Sequence, residues 1–173
     1  MAQAVRASLG AAVAAAILCT AVGRAAEAPK ITGPLQEMEV MGVAPDPSSG
    51  APVVYLRGKQ SKRELSMFIG PTEAQGILLP LQAMRPPRPY THDLFLEAVH
   101  RLKAKVKRVI ITEMRDNTYF ASLILEAQGQ EITLDSRPSD AIALALREDA
   151  PILAAEQAFV HSPRAGGSEG ENP

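Results

Sequence analysis

The sequence has few cysteines, few aromatic residues and almost no net charge. Its 173 residues include one cysteine, Cys19, no tryptophan and 4% aromatic residues, and the formal net charge is −1. If the chain is cleaved before Glu27, no cysteine remains, which excludes disulfide bonds, cysteine-ligated metals and a thiol nucleophile. A chain so close to neutral has no overall attraction to nucleic acid or anionic membrane, so such binding requires a local patch.

Several common enzyme signatures are also missing. The sequence contains no Walker loop, glycine-rich dinucleotide loop, GxSxG elbow or HExxH motif. Scarce aromatic residues give little support to base stacking of the single-strand-binding type. Lysine and arginine do cluster at Lys59 to Arg63 and at Arg101 to Arg108. These clusters indicate either a patch that follows phosphates or a solvated surface.

The beginning of the chain is typical of a targeting segment. Arg6 precedes an uncharged run from Ala7 to Val22, and small residues follow up to Ala26. This pattern predicts a signal peptide over residues 1–26, and therefore an exported protein, periplasmic or secreted, with no stable membrane contact after cleavage. The alternative is an uncleaved membrane anchor formed by residues 7–23.

The remainder divides into a linker, one domain and a tail. Residues 27–36 are predicted to be a linker, and residues 161–173 a disordered tail, because that tail is rich in Gly, Ser, Pro and Glu. Residues 37–160 are long enough for one core and show no internal repeat. They therefore form a single predicted domain.

Hydrophobic periodicity and turn residues predict an α+β fold for this domain. The predicted strands are Glu37–Val43, Val53–Arg57, Glu64–Ile69, Lys105–Met114, Thr118–Glu126, Gln130–Asp135 and Pro151–Phe159. Turns are expected at Asp116-Asn117 and Gln128-Gly129. The strand that begins at Gln130 is expected to have one solvated face, opposite Ile132 and Leu134.

Three helices are predicted. The first begins at Thr72, which forms a capping box with Gln75, and buries Ala74, Ile77, Leu78 and Leu81. The second runs from Thr91, its N-cap, to Lys103, and buries Leu94, Phe95, Ala98 and Leu102. The third begins at Pro138 and is buried at close approach, since Ala alternates with larger apolar residues.

A first polar segment, PRPYTHD at residues 87–93, ends in the second helix. Prolines on both sides of Arg88 restrict the backbone, which favours a binding role, and Arg88 at a helix N-terminus suits a phosphodiester. Thr91, His92 and Asp93 add a hydroxyl, an imidazole and a carboxylate. The alternative interpretation is a stiff loop with an ordinary helix cap.

A second polar segment, DSRPSD at residues 135–140, lies between a strand and the third helix. Asp135 and Asp140 could hold a hard cation such as Mg²⁺, the ion that nuclease chemistry commonly uses. The same carboxylates could equally cap the helix and pair with Arg137. The local sequence leaves both interpretations open.

The two segments together resemble the bifunctional nuclease family. PRPYTHDL at 87–94 and DSRPSDAIALALR at 135–147 carry the resemblance, and FIGPTEAQGI, TYFASLIL and APILAAEQ are similar to further family segments. The resemblance implies a compact roll of mixed or antiparallel sheet with about three helices, usually oligomeric, that hydrolyses DNA and RNA. It extends over about residues 37–160, and an export leader is unexpected for this family.

The motif residues lead to a hypothesis for the site. Asp93, Asp135 and Asp140, with Glu73, are predicted to bind a divalent cation, Mg²⁺ or Mn²⁺. Phosphate and substrate contacts are assigned to Arg88, Thr91, Arg137 and Ser139. His92 is predicted to be a general acid or base, with Asp93, Asp140 and Glu73 also catalytic. The competing hypothesis is a non-catalytic binding or assembly module of the cell envelope that retains the family fold.

Overall fold

The structure, a computed structural model, describes residue 31 and residues 33–159. The predicted signal peptide and the predicted tail, residues 1–26 and 161–173, lie outside this part of the chain. Within it, no helix is long and apolar enough to cross a membrane.

The described residues form seven strands, three α-helices and one short 3₁₀ helix, which confirms the predicted α+β class. In chain order they are β1 Gln36–Pro45, β2 Pro52–Gly58, β3 Glu64–Phe68, α1 Pro71–Leu81, α2 Thr91–Arg101, β4 Ala104–Arg115, β5 Thr118–Ala127, β6 Gln130–Ser136, α3 Pro138–Glu148, β7 Ile152–Ala154 and the 3₁₀ helix Glu156–Ala158.

All seven strands join one mixed sheet in the order β3-β2-β1-β7-β4-β5-β6. Each neighbouring pair is antiparallel except β4 and β7, which are parallel. The predicted last strand, Pro151–Phe159, is wrong in length: only Ile152–Ala154 is extended, and Ala155 caps the 3₁₀ helix. This short strand lies at the centre of the sheet, between β1 and β4.

Both predicted hairpin turns are present. Asp116 and Asn117 have φ of 50° and 60°, and Gln128 and Gly129 have φ of 51° and 76°. Two successive residues with positive φ are what a two-residue hairpin turn requires to match the twist of its strands. These turns fix the registers of β4 with β5 and of β5 with β6.

The main core lies between the sheet and the helices. α3 is its centre, because Ala141–Ala145 are all buried and Ile142 is fully enclosed. The alanines let α3 approach the sheet and α1 closely, as the sequence predicted.

The start and the buried face of α1 differ from the prediction. α1 begins at Pro71 after Gly70, with no side-chain cap, so the Thr72–Gln75 capping box does not form. Proline suits this first position because its missing N–H would have no helical partner there. Ala74 and Ile77 are buried as expected. Leu81 is exposed and Leu78 only half-buried, while Gly76 and Leu79 are buried instead.

The buried face of α2 was predicted wrongly. Leu96 and Val99 face the core, whereas the exposed residues are Leu94, Phe95, Ala98 and Leu102. Tyr90, not Thr91, is the N-cap. The physical reason is electrostatic: polar contacts of His92 and Asp93 with α3 set the rotation of the helix, and the larger apolar stripe turns to solvent.

The edge strand β6 has no buried face. Ile132 and Leu134 are 45% and 37% exposed, although they pair across from the buried Leu125 and Leu123. The alternation predicted a core-facing side, but the helices do not cover the sheet as far as this edge. The prediction of one dry face was therefore wrong.

Candidate functional site

The candidate site lies where the first turns of the three helices meet. Glu73 stands in the first turn of α1, His92 and Asp93 in that of α2, and Asp140 in that of α3. A carboxylate in this position is stabilised by the positive end of the helix dipole. The fold thus brings both motif segments to one place.

Arg137 joins two of these helices through its guanidinium group. Its Nε donates to Oδ2 of Asp140 at 2.7 Å, and its Nη1 donates to Oε1 of Glu73 at 2.8 Å. The hydrogen bond to Asp140, which has the larger effect, and the hydrogen bond to Glu73 both raise the pKa of Arg137. The pKa of Glu73 is lowered by a hydrogen bond from its own backbone N–H and then by Arg137. Glu73 is therefore ionised at neutral pH, and most of Arg137 remains open to solvent.

His92 lies on the other side of Asp140. Its Nε2 is 3.3 Å from Oδ1 of Asp140, and its side chain is 16% exposed. Asp140 therefore contacts a guanidinium through one carboxylate oxygen and an imidazole through the other. A carboxylate that orients an imidazole is the arrangement used in acid-base catalysis, and it is also a stable packing motif.

Asp93 has a different partner, Arg147 near the end of α3. Arg147 Nε donates to Oδ1 of Asp93 at 2.6 Å, and Arg147 Nη1 donates to the carbonyl oxygens of Gly76 and Ala143 at 2.7 and 2.8 Å. The other oxygen of Asp93 accepts the backbone N–H of Tyr90 at 2.8 Å. Asp93 is thus occupied by a largely buried cation and by the cap of its own helix.

Gly76 is the point of closest approach between α1 and the site. A Cβ atom at this position would lie 2.7 Å from Cε1 of His92. Only glycine leaves room for the imidazole at its present position. Its carbonyl also accepts from Arg147, so Gly76 lies against His92 of α2 and Arg147 of α3.

The remaining predicted site residues lie outside this cluster of side-chain contacts. Arg88 and Thr91 are exposed, and no side-chain hydrogen bond connects either of them to the cluster within the described residues. Asp135 is exposed on β6, across from Ser122 of β5. Ser139 is adjacent in α3 and is buried.

The predicted three-carboxylate metal set does not assemble. Among the residues that the structure describes, no group of three or more His, Cys, Asp or Glu side chains is placed to hold a metal ion. Asp93 is bound by Arg147, Asp140 is bound by Arg137, and Asp135 is on the edge strand. Arginine competes for the oxygens that a cation would need, so this donor arrangement does not fit the predicted ion.

The range matched by sequence comparison includes this cluster. The profile of the bifunctional nuclease domain matches residues 54–162, which include Glu73 and both motif segments. The chain belongs to the bifunctional nuclease domain family. The family resemblance that the motifs carried is therefore confirmed.

Relatives of this bifunctional nuclease domain come from bacteria and plants. An uncharacterized protein of Mycobacterium tuberculosis is 37% identical over 120 residues, which is 69% of this chain and 71% of the relative. Bifunctional nuclease 1 of Oryza sativa subsp. japonica is 36% identical over 91 residues, which is 51% of this chain and 28% of the plant protein. The similarity to the named plant nuclease thus concerns a limited part of that protein.

Sequence reasoning missed Arg147 of the bifunctional nuclease domain. A usable signal was its spacing: Asp140 and Arg147 are seven residues apart in α3, so they lie on the same helix face two turns apart. Asp140 contacts His92 and Arg147 contacts Asp93, two successive residues of α2. One face of α3 therefore carries a complementary partner for each.

Proposed function

We propose that this protein hydrolyses phosphodiester bonds of DNA and RNA at the cluster of Glu73, His92, Arg137 and Asp140, hereafter the Arg137 cluster. The observation that carries the proposal is that both family motifs meet at Asp140, which lies 3.3 Å from His92 of the first motif and 2.7 Å from Arg137 of the second. Membership of the bifunctional nuclease domain family supports the same reaction.

Arg137 is proposed to bind the phosphate. Its contacts to carboxylates use Nε and Nη1, which leaves Nη2 for a phosphate oxygen, and its side chain is 65% exposed. A guanidinium held in place by two carboxylates loses little freedom when it binds a substrate. Its positive charge then stabilises the negative charge that develops on the phosphate oxygens.

His92 is proposed to act as the general acid or base of the hydrolysis, and Asp140 to orient its imidazole ring. The ionised carboxylate of Glu73, on the far side of Arg137, is placed to accept a hydrogen bond from an attacking water. Asp93 is assigned a positioning role, because its oxygens bind Arg147 and the Tyr90 amide. No step is derived through a metal ion.

The test uses the full chain and three variants of the Arg137 cluster. We expect Arg137→Ala, His92→Ala and Asp140→Asn to lower cleavage of plasmid DNA and single-stranded RNA by about 10²-fold or more, since acid-base and electrostatic contributions are usually of that size. Arg57→Ala is the matched control, because Arg57 of β2 lies outside both basic clusters, is 52% exposed and pairs with Glu64 of the neighbouring strand β3. Thermal unfolding of each variant separates loss of chemistry from loss of fold.

Two results would contradict the proposed reaction. Full activity of His92→Ala, or a pH-rate profile with no group near the histidine range, removes the role of His92. Cleavage that separates from the protein on a sizing column removes the activity itself.

The second candidate is a non-catalytic binding or assembly module with the same fold. It is favoured by one observation: Arg137 and Arg147, the two arginines that contact carboxylates in the first turns of the helices, are already neutralised by those carboxylates. In that case the ion pairs serve as helix contacts. Asp140→Asn then unfolds the protein instead of inactivating a folded one.

We further propose that the protein is a homo-oligomer that works after export. The apolar face of α2 supports assembly, because Leu94 and Leu102 are 62% and 77% exposed and lie on one side of the helix with Phe95 and Ala98. Light scattering of Leu94→Glu, expected to give a smaller mass than the wild type, tests that proposal. Mass spectrometry of the secreted chain, expected to begin at Glu27, tests export.

A further inference from the structure

A cleft opens beside the Arg137 cluster, between the end of β3 and the β4–β5 hairpin. Its volume is about 530 Å³, within the range of roughly 300–1,000 Å³ that is typical of small-molecule sites. Four strands separate β3 from β5 in the sheet, so the sheet curls to bring them to one cleft. The residues that matter below are Phe68, Tyr119, Glu73, Arg137 and Ser139.

Phe68 provides an apolar wall for this cleft. It is the last residue of β3 and is 68% exposed, whereas Leu65 and Met67 of the same strand are buried. An aromatic ring with this exposure can bury its face against a bound ligand. Tyr119, on β5, lies on the same cleft and adds a second ring.

The other end of the cleft is polar. Arg137 and Glu73 of the Arg137 cluster line it, and so does Ser139, which is only 6% exposed. The Ser139 hydroxyl has no hydrogen-bond partner among the described residues. This hydroxyl is not fully enclosed, and Ser139 lines the cleft, so the hydroxyl reaches the cleft surface. A buried hydroxyl that faces a cleft is available to a ligand.

We propose that this cleft binds one unpaired nucleotide of the substrate, with the base against Phe68 and the phosphate at Arg137 and Ser139. This inference rests on the proposed nuclease function and names the form of its substrate. An aromatic ring can stack on a base only when that base has left its neighbour in the duplex. The protein therefore selects single-stranded segments or frayed ends of both DNA and RNA.

The binding test places a fluorescent probe in the cleft. Phe68→Trp introduces a tryptophan into a chain that has none, and AMP stacked on the indole should quench its emission saturably. Met41→Trp is the matched control, because Met41 is 50% exposed and does not line the cleft. Ribose 5-phosphate should bind without quenching. Adding Ser139→Ala to Phe68→Trp should weaken the binding of AMP more than the binding of adenosine, which has no phosphate.

The activity test compares Phe68→Ala with Met41→Ala. Stacking on one aromatic residue corresponds to a change of about 5- to 150-fold. We expect Phe68→Ala to lose that factor in kcat/KM for a short single-stranded oligonucleotide, and Met41→Ala to match the wild type. A blunt hairpin of the same sequence should be a poor substrate for both.

The outcomes separate the two proposals. Equal quenching of Phe68→Trp and Met41→Trp by AMP, or unchanged kcat/KM in Phe68→Ala, overturns the cleft as a nucleotide site while cleavage by the Arg137 cluster stands. Saturable quenching of Phe68→Trp in a protein that cleaves no substrate supports the nucleotide site and overturns the nuclease function.

Discussion

Nε of Arg147 lies 2.6 Å from Oδ1 of Asp93, and the arginine side chain is only 10% exposed. This pair connects the end of α3 to the start of α2. The same guanidinium also donates to the carbonyl oxygen of Gly76 in α1. Three helices therefore share one guanidinium. The contact holds His92, the residue that precedes Asp93, against Asp140.

Asp93→Asn is expected to destabilise the protein. The change leaves the Arg147 cation without its counter-charge, at a cost of about 2 kcal/mol, somewhat less than for a fully buried pair because Asp93 is partly exposed. Urea unfolding monitored by circular dichroism measures it. Glu97→Gln, an exposed carboxylate on the same helix, should change stability by less than about 0.5 kcal/mol.

The same pair predicts an acid dependence of stability. Burial raises the pKa of Asp93, but hydrogen bonds from Arg147 and the Tyr90 amide outweigh it, so the pKa lies below its usual 3.8. The folded state then binds fewer protons than the unfolded state. The stabilisation is fully present above pH 3.8, and it is lost as the pH falls through the lowered pKa of Asp93 in the folded protein.

Urea midpoints measured at a series of pH values down to the acid range check this prediction. The wild type should lose more stability below pH 3.8 than Asp93→Asn, which has no carboxylate to protonate. Parallel curves for the two proteins would mean that Asp93 is not the responsible group.

Gly76→Ala is expected to displace the His92 ring. The added Cβ would lie 2.7 Å from Cε1, and overpacking costs about 1–3 kcal/mol while alanine gains about 1 kcal/mol in helix propensity. A net loss of about 1 kcal/mol should accompany a changed imidazole NMR signal and reduced cleavage. Thr72→Ala, at an exposed position of α1, controls for propensity. An unchanged His92 signal in Gly76→Ala would contradict the close approach.

Metal dependence remains a prediction, and removal of divalent ions tests it. The sequence predicts that EDTA abolishes cleavage and that Mg²⁺ or Mn²⁺ restores it, whereas the Arg137 cluster, whose donors do not fit such an ion, predicts that cleavage persists in EDTA. Because the three aspartates do not converge in the described residues, Asp135→Asn should leave cleavage and its response to EDTA unchanged. Full activity in EDTA would remove the metal from the mechanism.

Local patterns predicted most of the strands, both hairpin turns and α3, because alternation and glycine or asparagine turns act over a few residues. They failed for the rotation of α2. The stripe that contains Leu94 and Leu102 has more apolar residues than the face with Leu96 and Val99, and the prediction therefore buried the wrong face. The rotation is set by Asp140 and Arg147, which are distant in sequence. The approach of Arg137 to Glu73 was equally invisible, because it spans 64 residues.

β7 joins two antiparallel halves of the sheet, β3-β2-β1 on one side and β4-β5-β6 on the other. Only three residues, Ile152–Ala154, make this junction within the described sheet. They come last among the strands, so on a ribosome the two halves wait for the final strand before the sheet can close. Closure of the cleft between Phe68 and Tyr119 therefore waits for this strand, and a chain cut before Ile152 would keep the segments 87–94 and 135–147 but lose the strand that joins the two halves of the sheet.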